Sequence, residues 1–137
     1  MKSFAVAFTA LLAYSSPAAA QVILDAQPSV RVESSDAGTT HTLLSDAASA
    51  GNRATVIKRG ERFYWATREN RELQHVRAGA FHYFIASGGA GYIKVFDAQS
   101  LPPSQRASER RYQYMEHLTI GLSTITDWGT ADDANLP

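Results

Sequence analysis

Downstream of Arg53 the chain is written in short runs of β-branched and aromatic residues, each ended by glycine, proline or a charged cluster. That rhythm suits strands and leaves little room for long helices. Ala54 to Arg59 and Arg62 to Thr67 flank Gly60-Glu61, which predicts a hairpin. A second hairpin is predicted where Ala80 to Ala86 and Tyr92 to Phe96 flank the turn Ser87-Gly88-Gly89-Ala90-Gly91. Between them lie a charged connection, Arg68 to Glu72, and a short run from Leu73 to Val76. Leu101-Pro102-Pro103-Ser104 breaks regular structure, and a polar loop runs on to Arg111. The last long run is Tyr112 to Thr126, in which Gly121 marks a bulge or bend. These elements predict an all-β domain with one short helix, closed as a small antiparallel β-barrel or sandwich.

Large rings dominate core burial, and from residue 21 onward all of them fall between Phe63 and Trp128. The domain is therefore expected to span residues 41–128. Residues 21–40 read as a lead-in, with Val30 and Val32 in a short edge strand, and residues 129–137 read as a frayed tail. His41 to Ala50 carries the one amphipathic helical pattern: Leu43, Leu44, Ala47 and Ala48 share a face, Thr40 can cap its start, and Gly51-Asn52 can stop it.

The first twenty residues have the layout of a secretory signal peptide. Lys2 precedes the apolar run Phe4 to Tyr14, and small residues end in Ala18-Ala19-Ala20 before Gln21. Export to a bacterial periplasm or to the medium is the expectation. Of 13 basic residues, removing Lys2 leaves 12 against 13 acidic, a formal charge of −1 that offers nothing to nucleic acid. The chain has no cysteine, so disulfides, thiolate metal sites and cysteine nucleophiles are excluded. After the leader no apolar run approaches the roughly 18 to 20 residues of a spanning helix, so no stable membrane insertion is expected.

Period-two reading assigns faces. Phe63 with Trp65, Phe81 with Tyr83 and Ile85, Ile93 with Val95, and Tyr112 with Tyr114, Glu116, Leu118 and Ile120 are expected to be buried. The opposite face would carry Arg62, Tyr64, His82, Phe84, Tyr92, Lys94, Phe96, Met115 and His117. Glu116 is the candidate acid or base, because a carboxylate among Tyr114 and Leu118 is desolvated unless an arginine or tyrosine engages it. His82 and His117, on one face, are two nitrogen donors that would need a third from His75, His41 or a carboxylate. No close histidine spacing provides one, so neither a metal nor a cofactor is expected. The stretch from Arg53 to Arg77 offers seven basic residues against Glu61, Glu69 and Glu72, which suits an anion or sugar surface or a charged strand edge.

Gly88-Gly89-Ala90-Gly91 is no phosphate cradle, because a strand follows it and not a helix. Gly-x-Ser-x-Gly and His-Glu-x-x-His are missing. Aromatics without a catalytic signature point to a non-enzymatic module binding a small molecule, glycan or envelope protein through Arg62, Tyr64, His82, Tyr92 and His117. Two alternatives remain open: a small hydrolase or lyase using Glu116 or a histidine, and a structural or inhibitory protein acting through an exposed strand edge.

Overall fold

The computed structural model describes residues 19–106, 112–131 and 133–137, so most of the leader, the end of the polar loop at Arg111, and Asp132 lie outside the described residues. Nine strands and one short helix follow in order: β1 (Gln21–Ser35), β2 (Gly38–Leu43), α1 (Asp46–Gly51), β3 (Ala54–Arg59), β4 (Arg62–Trp65), β5 (Arg71–Ala78), β6 (Phe81–Ala86), β7 (Gly91–Asp97), β8 (Tyr112–Ile120) and β9 (Ser123–Ala131). Each of β3 to β8 pairs antiparallel with the next, and β1 pairs with both β3 and β9. The result is a closed, antiparallel, eight-stranded barrel, in which closure leaves no open edge among the eight staves.

Local chemistry sets the connections. β3–β4, β5–β6 and β8–β9 are two-residue hairpins whose first turn residue is Gly60, Gly79 or Gly121, at φ 58°, 61° and 60°. A positive φ there twists the turn to match its strands. Gly121 thus divides the last run into two strands instead of bulging one. The Gly60 and Ser87-to-Gly91 hairpins form as the sequence predicts.

The N-terminal expectation is overturned. Residues 21–35 are not a lead-in but the stave that closes the barrel, pairing with β3 through Gln21 to Ala26 and with β9 through Gln27 to Ser34. The region lacks rings, yet Ile23, Leu24 and Ala26 are buried in one core cluster with Trp65 and Phe84. The tail is corrected too: Gly129 to Ala131 belong to β9, and the Asn135 N–H donates to the Ile23 carbonyl at 2.9 Å. The helix is shorter than predicted. His41 to Leu43 lie in β2, and Ser45, not Thr40, caps α1 by accepting from the Ala48 N–H.

Inward positions of β4 and β7, and of β8 from Tyr112 to Leu118, are as read from the sequence; Ile120, expected to be buried, is 60% exposed beside the β8–β9 turn, and β6 is reversed. His82, Phe84 and Ala86 are buried, whereas Phe81, Tyr83 and Ile85 face outward. The register explains it. Phe84 lies opposite Ile93 and His82 opposite Val95, and directly opposed residues share a face. Trp65, Phe84, Leu24 and Ile93 are the bulk of the packed interior. Among the described residues no helix is long and apolar enough to cross a membrane.

Candidate functional site

At the barrel end that carries α1, the 66–70 loop and the β8–β9 turn, the interior turns from apolar to charged. Glu116 on β8 and Asp127 on β9 are cross-strand partners, both fully buried. Two buried carboxylates side by side repel, so each needs its own cation. Arg31 on β1 grips Asp127 through Nε and Nη2, both at 2.8 Å, and Nη2 also donates to Asn52 Oδ1 at 2.8 Å. Glu116 accepts from the Trp65 indole Nε1–H at 2.9 Å and from Arg68 Nη2 at 2.9 Å.

Burial pushes the Glu116 carboxyl above its ordinary value. Arg68 opposes this by charge and by hydrogen bond, and the neighbouring Asp127 adds to the rise. Tyr114 stands beside them on β8, and burial, reinforced by the negative charge of Glu116 and then Asp127, pushes its phenol well above the usual range.

Arg68 reaches Glu116 because the 66–70 loop is tightly wound, with Glu69 at φ 56° and Asn70 at φ 52°. Left-handed glutamate is uncommon, so this turn is strained to hold its shape. Outside Glu116, Arg68 forms one wall of a cleft of about 350 Å³, completed by Trp65, Thr67, Glu69, Arg71, Ala90, Leu118, Thr119 and Ile120. Its side chain is 28% exposed: Nη2 holds the buried carboxylate at 2.9 Å, Nη1 donates to the Thr67 carbonyl at 3.3 Å, and Nε is buried with no hydrogen-bond partner among the described residues. The Arg71 guanidinium has no partner among the described residues. The cleft thus joins two guanidinium groups to an apolar wall of Leu118, Ile120 and Ala90.

The five residues expected to form one binding face do not converge. Arg62 and Tyr64 lie on β4, three staves from β7, on a convex surface. Arg62 is exposed and pairs with Glu72 at 3.4 Å, and Tyr64 lies under Arg59, 5.5 Å from its ring centre. Tyr92 and His117 do meet, as stacked cross-strand rings 5.3 Å apart, and His117 Nδ1 bonds Thr126 Oγ1 at 2.9 Å. His82 is on the other side of the wall at 1% exposure. His82 and His117 therefore cannot share a metal. The His82 Nδ1 instead contacts His75 Nε2 at 3.0 Å, and no metal-holding cluster of three occurs among the described residues. The basic stretch is largely neutralised on the surface, with Arg53 on Asp25 at 2.6 Å and Lys58 near Glu61 at 3.6 Å.

Glu116 lands inside with an arginine on it, as the strand period and the cost of a lone buried charge require. Arg31 and Asp127 escape a reading that places β1 outside the fold. Asp127 was findable, because it is in phase with Ile125 and hence with the inward side of β9.

Comparison of the chain with protein families, with characterised proteins and with solved structures returns no match.

Proposed function

We propose that the chain is an exported β-barrel that binds a small amphipathic carboxylate in the cleft beside Arg68 and Arg71. The observation carrying this reading is the dual placement of Arg68, anchored by the buried Glu116 and presented at a cleft with an apolar wall. A guanidinium held in place from behind has already lost its side-chain freedom, so a ligand carboxylate gains more of its hydrogen-bond energy. Leu118, Ile120 and Ala90 suit the apolar part of such a ligand. Export is supported by Lys2, the run Phe4 to Tyr14 and Ala18-Ala19-Ala20, with the first stave beginning at Gln21. An acid–base role for Glu116 has weaker support, since both its oxygens are engaged and it has no exposed surface.

The test uses octanoate and its neutral counterpart octanol, read by tryptophan emission in a W128F background that leaves Trp65 alone. Octanoate should perturb Trp65 saturably, and octanol should not. R71Q should weaken octanoate about tenfold, the equivalent of one partly exposed charge-assisted hydrogen bond. Equal binding of the two probes, or unchanged affinity in R71Q, would discard the reading. Mass analysis of the chain expressed with its leader should find Gln21 at the new N-terminus.

A further inference from the structure

β2 is unlike the eight staves: it pairs with β1 alone, and its other edge has no partner among the described residues. All six of its residues, Gly-Thr-Thr-His-Thr-Leu, are exposed, with Leu43 at 84%. Natural edges are blunted by lysine, proline, bulges or cover. β2 has no charged residue, no proline and no register shift against β1.

The direction of its free backbone groups follows from one bond. The Leu44 N–H donates to the Ser29 carbonyl at 2.9 Å, which makes Ser29 and Leu44 a hydrogen-bonded pair. In the register Val30↔Leu43 to Ser35↔Gly38, bonded and non-bonded pairs alternate. Thr42, Thr40 and Gly38 therefore turn their N–H and C=O toward β1, while Thr39, His41 and Leu43 turn theirs to the open edge.

We infer that this edge pairs with the β2 edge of a second copy of the chain, antiparallel about a two-fold axis at His41. The outward set is centred on His41, so an isologous pairing matches His41 to itself and Thr39 to Leu43 with every outward donor meeting an acceptor. In this arrangement position 41 alone meets its own copy, while Thr40 meets Thr42 and Thr39 meets Leu43. A charge at position 41 would repel itself, and β2 has no aspartate, glutamate, lysine or arginine. The pairing also covers Leu43, whose row continues through Val30 to Trp128 on the outer face. One strand pair is a small contact, so the association is a weak one. It is independent of the cleft beside Arg68.

Sedimentation velocity on the processed chain, from about 10 μM to about 500 μM at pH 7.5, should show reversible monomer–dimer exchange, as a small interface demands. H41P deletes an outward N–H that β1 does not use, and H41E sets two carboxylates against each other. Each should raise the midpoint at least tenfold with the circular dichroism unchanged, and should H41P disturb the fold, H41E gives the answer. A synthetic Gly38–Leu43 peptide should shift amide resonances of β2 and compete with dimerisation. A monomer at the highest concentration, or a dimer that both variants leave intact, overturns the inference. So does equal binding of an unrelated neutral strand peptide, which would make the edge a general peptide acceptor.

Discussion

Replacing Glu116 removes the acceptor shared by two donors at the charged end of the barrel, and the size of the loss can be worked out donor by donor. In E116L the Trp65 indole N–H, 1% exposed as a residue, is left buried without a partner, at a cost of about 1–3 kcal/mol. Arg68 is 28% exposed and can rehydrate, so its share is discounted to about 1 kcal/mol. The total is about 2–4 kcal/mol, seen as a lower urea midpoint in far-UV circular dichroism. E116Q keeps an oxygen for Trp65, and since desolvation of the carboxylate outweighs its contact with Arg68, it should cost less than E116L and little at neutral pH. The pH dependence is the sharper test. Burial raises the folded-state pKa of Glu116 above its unfolded value, so the folded state holds the proton more tightly. The stability this contributes is fully present below the unfolded value, about pH 4.3, and is lost as pH rises through the folded value. The wild-type advantage over E116Q should therefore be largest in acid and shrink toward neutrality, by at most about 1.4 kcal/mol per pH unit within the window. An advantage that grows with pH would mean that Arg68 outweighs desolvation, refuting the assignment. Wild-type stability in E116L would show that the network holds nothing together.

Gly129 tests the closing seam: a Cβ there would meet the Gln27 carbonyl oxygen at 1.9 Å and the Pro28 Cα at 2.8 Å, so G129A must displace backbone on β1. A loss of about 3 kcal/mol is expected by thermal melting, and an unchanged melt would remove β1 from the barrel wall. Y114F deletes a buried hydroxyl that has no hydrogen-bond partner among the described residues, so it should be neutral or stabilising by up to about 1 kcal/mol in urea titration. A clear loss there would reveal a bond the hydroxyl makes. Burial, with His75 and Arg77 adding charge around His82 and Arg77 around His75, holds both histidines below their ordinary values, while Asp97 partly opposes this at His82. Their contribution is present above the unfolded value, about pH 6.5, and is lost as pH falls through the folded values. Urea midpoints of the H75Q/H82Q double variant should be flatter than wild type between pH 7.5 and 5, and parallel curves would exclude the pair.

Strand content, the hairpin turns at Gly60 and at Ser87 to Gly91, and the inward side of β8 could be read from residues alone, because turn chemistry and period-two alternation are local properties. The same locality explains Glu116: two residues from Tyr114 and from Leu118, it had to share their side of the strand and find a cation. Which cation was not local. Arg68 sits 48 positions away and Arg31 is 96 from Asp127, and only barrel closure brings each pair together.

β6 marks the limit most clearly. Both of its faces carry rings, so composition gives no preference. The four residues between Ala86 and Gly91 set an even loop that places Phe84 opposite Ile93 and turns His82 inward. With that turn the supposed binding face dissolved, and its members separated to opposite sides of the wall or to distant staves. β1 was undervalued for a related reason. Without rings it looks dispensable, yet a closed sheet needs a last stave, and Leu24 and Ala26 on it belong to the same buried core cluster as Trp65 and Phe84. Residue types and spacing were enough to establish an antiparallel β-domain with a buried carboxylate. The cleft, its two arginines and the unpaired edge of β2 were decided by tertiary structure, because each depends on which distant strands become neighbours.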